Sequence, residues 1–329
     1  THKLCEVRAV ADDITVIRRG AVVGTASPQS SESELANKMV GRSVMMKVEK
    51  APASPSGGGL VFDDVSLLSP SGVPVLDHLS FGVERGEIVA VAGVQGNGQT
   101  ELAEAVLGLQ TPDSGTISLE GADITRTNPR ASLDAGIGFI PEDRTTDGII
   151  ASFSIADNLV LDQFGEAPFS KGPMLKLGVI DDNARAKQQE YDIRLTDVSD
   201  PISSLSGGNQ QKVVVAREMS KELNLLVANQ PTRGVDVGSI EFIHKRIVGV
   251  RDQGTPVLLI SSELDEVLSL ADRVVVMYRG RIMGIVPAGT PRDVLGLMMA
   301  GVPLDEAMSV SEEHSDGAGE GRTMEGGTR

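Results

Sequence analysis

Residues 86–100 read GEIVAVAGVQGNGQT. Their first half is a short apolar run that closes on Gly93, the pattern of a buried strand. Their second half, Gly93 to Thr100, places a glycine, four residues, a second glycine (Gly98) and then Gln99-Thr100. That spacing is the frame of a phosphate-binding loop, set after a strand and opening a helix predicted from Thr100 to Leu109. Gly93, Gly96 and Gly98 let backbone N–H groups around Asn97 approach an anion, and the helix N-terminus adds a favourable field. Thr100 would face Mg²⁺. The position that normally carries lysine holds Gln99, so a plain glycine-rich turn fits the same residues.

Further apolar runs of strand length follow at IGFIP (137–141), LNLLVA (223–228) and PVLLIS (256–261). Runs without polar alternation suit a parallel sheet covered on both faces. The fold class is therefore α/β. Residues 151–220 lack such runs and read as a helical subdomain inserted into the sheet domain. It ends on a second motif, Leu205-Ser206-Gly207-Gly208-Asn209-Gln210-Gln211, ahead of KVVVAREMS. Ser206 can cap the following helix, and the two glycines leave its first N–H groups bare for an anion.

The 329 residues carry 30 Lys and Arg against 46 Asp and Glu, a net charge of −16. That argues against nucleic acid as a partner. The single cysteine, Cys5, excludes an internal disulfide and fits a reducing compartment. No stretch approaches the roughly 20 apolar residues of a membrane span. The chain starts at Thr1 with no initiator methionine or signal peptide, as the interior of a longer protein would.

Residues 2–41 repeat as 262–301 at a fixed offset of 260, with 12 identities in 40 positions. Leu4, Glu6, Val7, Ala11, Asp12, Val16 and Gly20 meet Leu264, Glu266, Val267, Ala271, Asp272, Val276 and Gly280. The expected organisation is the tail of a first domain (1–41), a Pro, Ser and Gly linker (42–58), a complete second domain (59–301) and a disordered acidic tail (302–329). Deprived of their parent domain, residues 2–41 should be poorly packed, with Val16, Ile17, Val22 and Val23 lacking neighbours.

The string LSGGNQQ resembles the signature of ABC ATPases. Together with PEDR (141–144) and PTRGVDVG (231–238), it is similar to the ATP-binding subunits of CUT2-like importers, which fuse two nucleotide-binding domains in one chain. LDQFGEAPFSKG (161–172) and the pattern of replaced residues point to the nucleoside-uptake branch, with the simple-sugar branch beside it.

The resemblance implies a P-loop fold, ATP and Mg²⁺ as cofactors, and a place for each motif. The P-loop lysine is Gln99, the Q-loop glutamine falls at Glu142, and the Walker B Asp-Glu pair is Asn229-Gln230. The switch histidine is Ser262, after Ser261; His244 lies elsewhere and does not replace it. No aromatic residue occupies the adenine-stacking region near Ser69 and Pro70. The signature, Thr100 and the loop Gly234-Val235-Asp236 survive.

An amide at 99, 229 or 230 keeps shape but supplies neither cation, carboxylate nor base, so this P-loop side should bind weakly and not hydrolyse. His2 aligns with Ser262 and falls at the switch position of the first domain. The competent site would join that domain's P-loop with Ser206, Gly207 and Gly208 of this one. The implied partners are the first nucleotide-binding domain of the same polypeptide, membrane permease subunits docking at Glu142 and around 151–204, and, indirectly, an external substrate-binding protein. The implied location is peripheral, on the cytoplasmic face of the plasma membrane. The alternative reading is a non-catalytic regulatory or assembly module.

Overall fold

The computed structural model describes residues 4–18, 20–41 and 48–319. His2 lies outside them, as does the stretch 42–47 of the expected linker. The chain divides into two compact units.

One unit comprises Pro52–Ile137, Leu223–Asn229 and the chain from Arg251 onward. At its centre three parallel strands, Ile88–Ala92, Val257–Ser261 and Leu225–Asn229, are buried at every position. Val257–Ser261 lies in the middle, pairing Ser261 with Ala92 on one side and Ile260 with Asn229 on the other. The chain order thus places Ile88–Ala92 and Leu225–Asn229 apart, each against the late-arriving strand. Arg273–Tyr278 adds in parallel beyond Ile88–Ala92, and Arg281–Pro287 pairs antiparallel with it.

Asp272 fixes this edge of the sheet. Its Oδ2 accepts the Ile88 N–H at 2.9 Å, and its Oδ1 accepts from Arg251 Nη1 at 3.0 Å. The same unit holds an antiparallel sheet in the order Pro74–Val83, Leu60–Leu68, Ser114–Leu119, Ala122–Asp123. Phe62 and Phe81 are paired across its first two strands and stack at 4.5 Å.

Of the tail expected to be disordered over 302–329, the described part forms a helix, Leu304–Gly319. Leu304, Ala307 and Met308 recur at helical spacing, Ala307 is fully buried, and Asp305 and Glu306 sit in the first turn, where the helix dipole favours them.

The other unit comprises Gly138–Glu222, Gln230–Val250 and the chain up to Ala51. Within 151–220 the longest elements are the helices Leu177–Glu190 and Gly207–Glu218; a short hairpin, Ser170–Lys171 with Met174–Leu175, also forms there.

The sequence repeat is a structural repeat. Leu4–Val10, Ile14–Arg18, Ala21–Ala26 and Glu32–Val40 reproduce Leu264–Leu270, Arg273–Tyr278, Arg281–Pro287 and Arg292–Met299. Both hairpins shift register at the same place, Val16/Ile17 and Val276/Met277. Both turn on a glycine in the left-handed region, Gly20 (φ 78°) and Gly280 (φ 76°).

Their surroundings differ. Ile17 and Val22 are each 65% exposed, and Val23 is exposed too, as expected. Val16 is not: it is 4% exposed and packs with Leu4, Ile14, Leu35, Ala36 and Val237. On the face that carries its two helices, the first copy closes a small core together with Val237 of the helix Val237–Asp252.

Candidate functional site

In the sheet unit, the parallel strands deliver Gly93, Asn229 and Ser261 to one edge of the sheet, the carboxyl end where open α/β sheets place ligands. The glycine-rich loop turns there. Gly96 (φ 88°) and Gly98 (φ 101°) adopt left-handed conformations that a side chain would resist, and Gly98 precedes the helix Gln99–Val106.

Gln99 is buried under this loop. Its Oε1 accepts the Asn97 N–H and its Nε2 donates to the Val94 carbonyl, both at 3.1 Å. A Cβ at Gly93 would lie 2.5 Å from that Nε2 and 2.8 Å from the Met277 carbonyl, so Gly93 makes the room. Asn97 is tied from outside as well, its Oδ1 accepting from Arg279 N–H at 2.9 Å and its carbonyl from Gly280 N–H at 3.0 Å. Thr100 is exposed in the first turn of the helix.

Asn229 is buried and ends its strand; Gln230, next in the chain, has φ 49°, an uncommon conformation for a non-glycine residue. Ser261 is buried, and its Oγ accepts the Glu263 N–H at 3.1 Å. His244 is a buried core histidine on the helix Val237–Asp252. Among the described residues no group of three or more His, Cys, Asp or Glu side chains is arranged to hold a metal ion.

In the other unit, the LSGG segment opens the helix Gly207–Glu218. Ser206 stands at its N-cap with extended backbone, yet its hydroxyl makes no capping bond, contrary to expectation. The Oγ instead accepts from Asn209 Nδ2 at 3.0 Å, which leaves the first helical N–H groups without a side-chain cap. Gln211 Nε2 donates to the Pro231 carbonyl at 2.7 Å and ties this helix to the 231–236 loop.

Both glycines leave room for neighbouring side chains. A Cβ at Gly207 would meet Arg144 Nη2 at 2.5 Å; one at Gly208 would meet Asp236 Oδ2 and Ser239 Oγ at 2.6 Å each. Asp236 caps the next helix, accepting from Ser239 N–H at 3.1 Å and Ser239 Oγ at 2.8 Å.

Two arginines that sequence reasoning passed over organise this cluster. Arg144 Nη1 donates to the Arg233 carbonyl at 3.0 Å, and the Arg233 guanidinium pairs with Glu142. Their signal lay in the strings PEDR and PTRG, where cations stand beside a carboxylate and a glycine turn. Asp143 accepts the Thr145 and Thr146 N–H groups, and those bonds hold its pKa below the usual carboxylate range. The structure thus gathers Ser206, Gly207, Gly208, Glu142 and Asp236 in one unit, and Gly93–Thr100 with Asn229 in the other.

A phosphate-loop frame on the carboxyl edge of a parallel sheet, and an LSGG segment that opens a helix, belong to an ABC-type P-loop α/β fold. Residues 76–233 match the family model described as ABC transporter. Its fold is similar to the ATP-binding cassette of an ABC transporter solved in its ADP conformation, with a TM-score of 0.63 at 21% identity over 74% of this chain and 99% of that one.

In sequence, the chain is 46% identical to the nucleoside import ATP-binding protein of Lactococcus lactis subsp. cremoris, over 93% of its own length and 61% of that protein's. It is 44% identical to the guanosine import ATP-binding protein of Bacillus subtilis, over 91% and 59%. The chain therefore spans about three fifths of the length of these curated relatives.

Proposed function

We propose that this chain is part of the ATP-hydrolysing subunit of a nucleoside importer, working with membrane permease subunits and, through them, an external binding protein. The likeness to nucleoside and guanosine import proteins supports the substrate class. The observation that carries the division of labour is the contrast between the two motifs. The LSGG helix presents uncapped N–H groups, with Arg144 against its first glycine and Asp236 against its second. The glycine-rich loop carries the neutral amide Gln99, and the positions that the resemblance gives to the Asp-Glu pair hold Asn229 and Gln230.

An anion at Ser206–Gly208 gains from aligned N–H donors and the helix field. ATP at Gly93–Thr100 would be held by backbone N–H groups and by the Thr100 hydroxyl through Mg²⁺. The Gln230 amide is no base, and the Asn229 amide carries no charge. The residues up to 41 are read as the end of a preceding cassette, because their elements and hairpin register repeat those at 264–299. His2 would then serve the preceding cassette as its switch residue. The Glu142–Arg233 pair would lie where the permease docks, on the cytoplasmic face of the membrane.

The test is ATP turnover in the full-length protein reconstituted with its permease. Gly207→Asp sets a carboxylate where an anion should sit and should lower turnover by about a hundredfold or more. Gln230→Ala should leave turnover within about twofold, since an amide supplies no general base. Turnover that survives Gly207→Asp, or is lost in Gln230→Ala, would reverse the assignment.

A further inference from the structure

Gln99 lacks the positive charge that a lysine would bring to the Gly93–Thr100 loop. The geometry gives Gln99 a second and active role. Its carboxamide is threaded beneath its own loop, with Oε1 on the Asn97 N–H and Nε2 on the Val94 carbonyl. The Asn97 N–H is a donor that the loop frame would offer to a phosphate oxygen. Here a neutral oxygen of the protein already holds it. The side chain is only 6% exposed, and Gly93 leaves the space that accommodates its nitrogen.

We infer that Gln99 is a built-in occupant of the phosphate cradle: its carboxamide competes with polyphosphate for the Asn97 N–H, and it sets the affinity and selectivity of this loop. The inference rests on reading Gly93–Thr100 as a phosphate loop. For a phosphate oxygen to reach the Asn97 N–H, Gln99 Oε1 must leave it, and the Val94 carbonyl then loses its donor.

Removing the carboxamide opens the cradle without collapsing it, because two bonds from outside hold Asn97. Its Oδ1 and carbonyl oxygen accept from the N–H groups of Arg279 and Gly280. Deleting a polar side chain from a ligand loop ordinarily weakens binding. Here the expectation runs the other way.

The experiment measures Mg-ATP binding to the 329-residue chain by titration calorimetry, together with amide exchange over residues 94–98 without ligand. Gln99→Ala should bind Mg-ATP about fivefold more tightly than the unsubstituted chain, the factor that one displaced neutral hydrogen bond carries. Its ligand-free amides at 94–98 should exchange faster. Gln99→Met keeps the bulk beneath Gly93, removes both hydrogen bonds, and should behave like Gln99→Ala; it guards against local loosening in the smaller variant. Gln99→Lys removes the competing oxygen, adds a cation, and should bind tightest.

If Gln99→Lys binds while Gln99→Ala and Gln99→Met bind no better than the unsubstituted chain, the loop is a phosphate site and the competition is refuted. If exchange at 94–98 quickens in Gln99→Ala but no variant binds Mg-ATP, the phosphate-loop reading falls, and the competition falls with it.

Discussion

At Gly208 a single hydrogen stands where any side chain would meet two oxygens, Asp236 Oδ2 and Ser239 Oγ. Those oxygens belong to the cap of the helix Val237–Asp252. Gly208→Ala should therefore act through the neighbouring helix start, with an overpacking cost of about 1–3 kcal/mol in urea unfolding. Asp236→Ala removes the same cap and should cost about 1 kcal/mol. Because both substitutions break one cap, their effects should fall short of adding in the double variant. Full additivity would show that Gly208 does not act through Asp236. The identity of these residues is legible in the sequence; their contacts are not. Arg144 and Gly207 meet only after the intervening segment has folded back, and nothing in the local spacing of either announces it.

Among the elements, the strands Ile88–Ala92, Leu225–Asn229 and Val257–Ser261 are readable because each is an apolar run ended by a turn or a polar residue. The antiparallel strands Leu60–Leu68 and Pro74–Val83 escape the same reading. Register shifts between Phe62 and Val65, and again between Val65 and Leu67, break the alternation, and Asp64 turns to φ 53° within it. For the legible strands, Leu259→Ala empties a fully buried central position and should cost about 2–5 kcal/mol in urea unfolding.

The antiparallel sheet carries a pH marker. His78 is hydrogen-bonded to Asp64 at 2.7 Å, and that bond, then the carboxylate's charge, raises the histidine's pKa above its ordinary value. The folded state favours protonated His78, so this contribution is complete below the ordinary histidine range and is lost as pH rises through the raised value. An imidazole resonance should titrate above the ordinary midpoint, and Asp64→Asn should bring it back. A midpoint unmoved by Asp64→Asn would exclude the pair as the cause.

Over the whole molecule, the two hairpins offer one comparison in two settings. Met277 is fully buried while Ile17, at the same repeat position, is largely exposed. Met277→Ser should destabilise the chain by about 2–5 kcal/mol, and Ile17→Ser should stay within about 0.5 kcal/mol. Equal losses would show that Ile17 is buried in solution. The repeat is legible because identities hold the offset of 260 without a gap; that Val16 finds cover while Ile17 does not depends on which face the two helices protect.

The same hairpin bears on how the purified chain behaves at high concentration. Among the described residues Ile14–Arg18 pairs with Ala21–Ala26 alone, whereas its counterpart Arg273–Tyr278 has a strand on each side. A half-paired strand with Ile17 exposed on it and Val22 exposed on its partner is a template for another chain's edge. Sedimentation should show reversible self-association that grows with protein concentration, disappears in Ile17→Lys, and persists in high salt. The net charge of −16 opposes such contacts at low ionic strength, so added salt should strengthen the association.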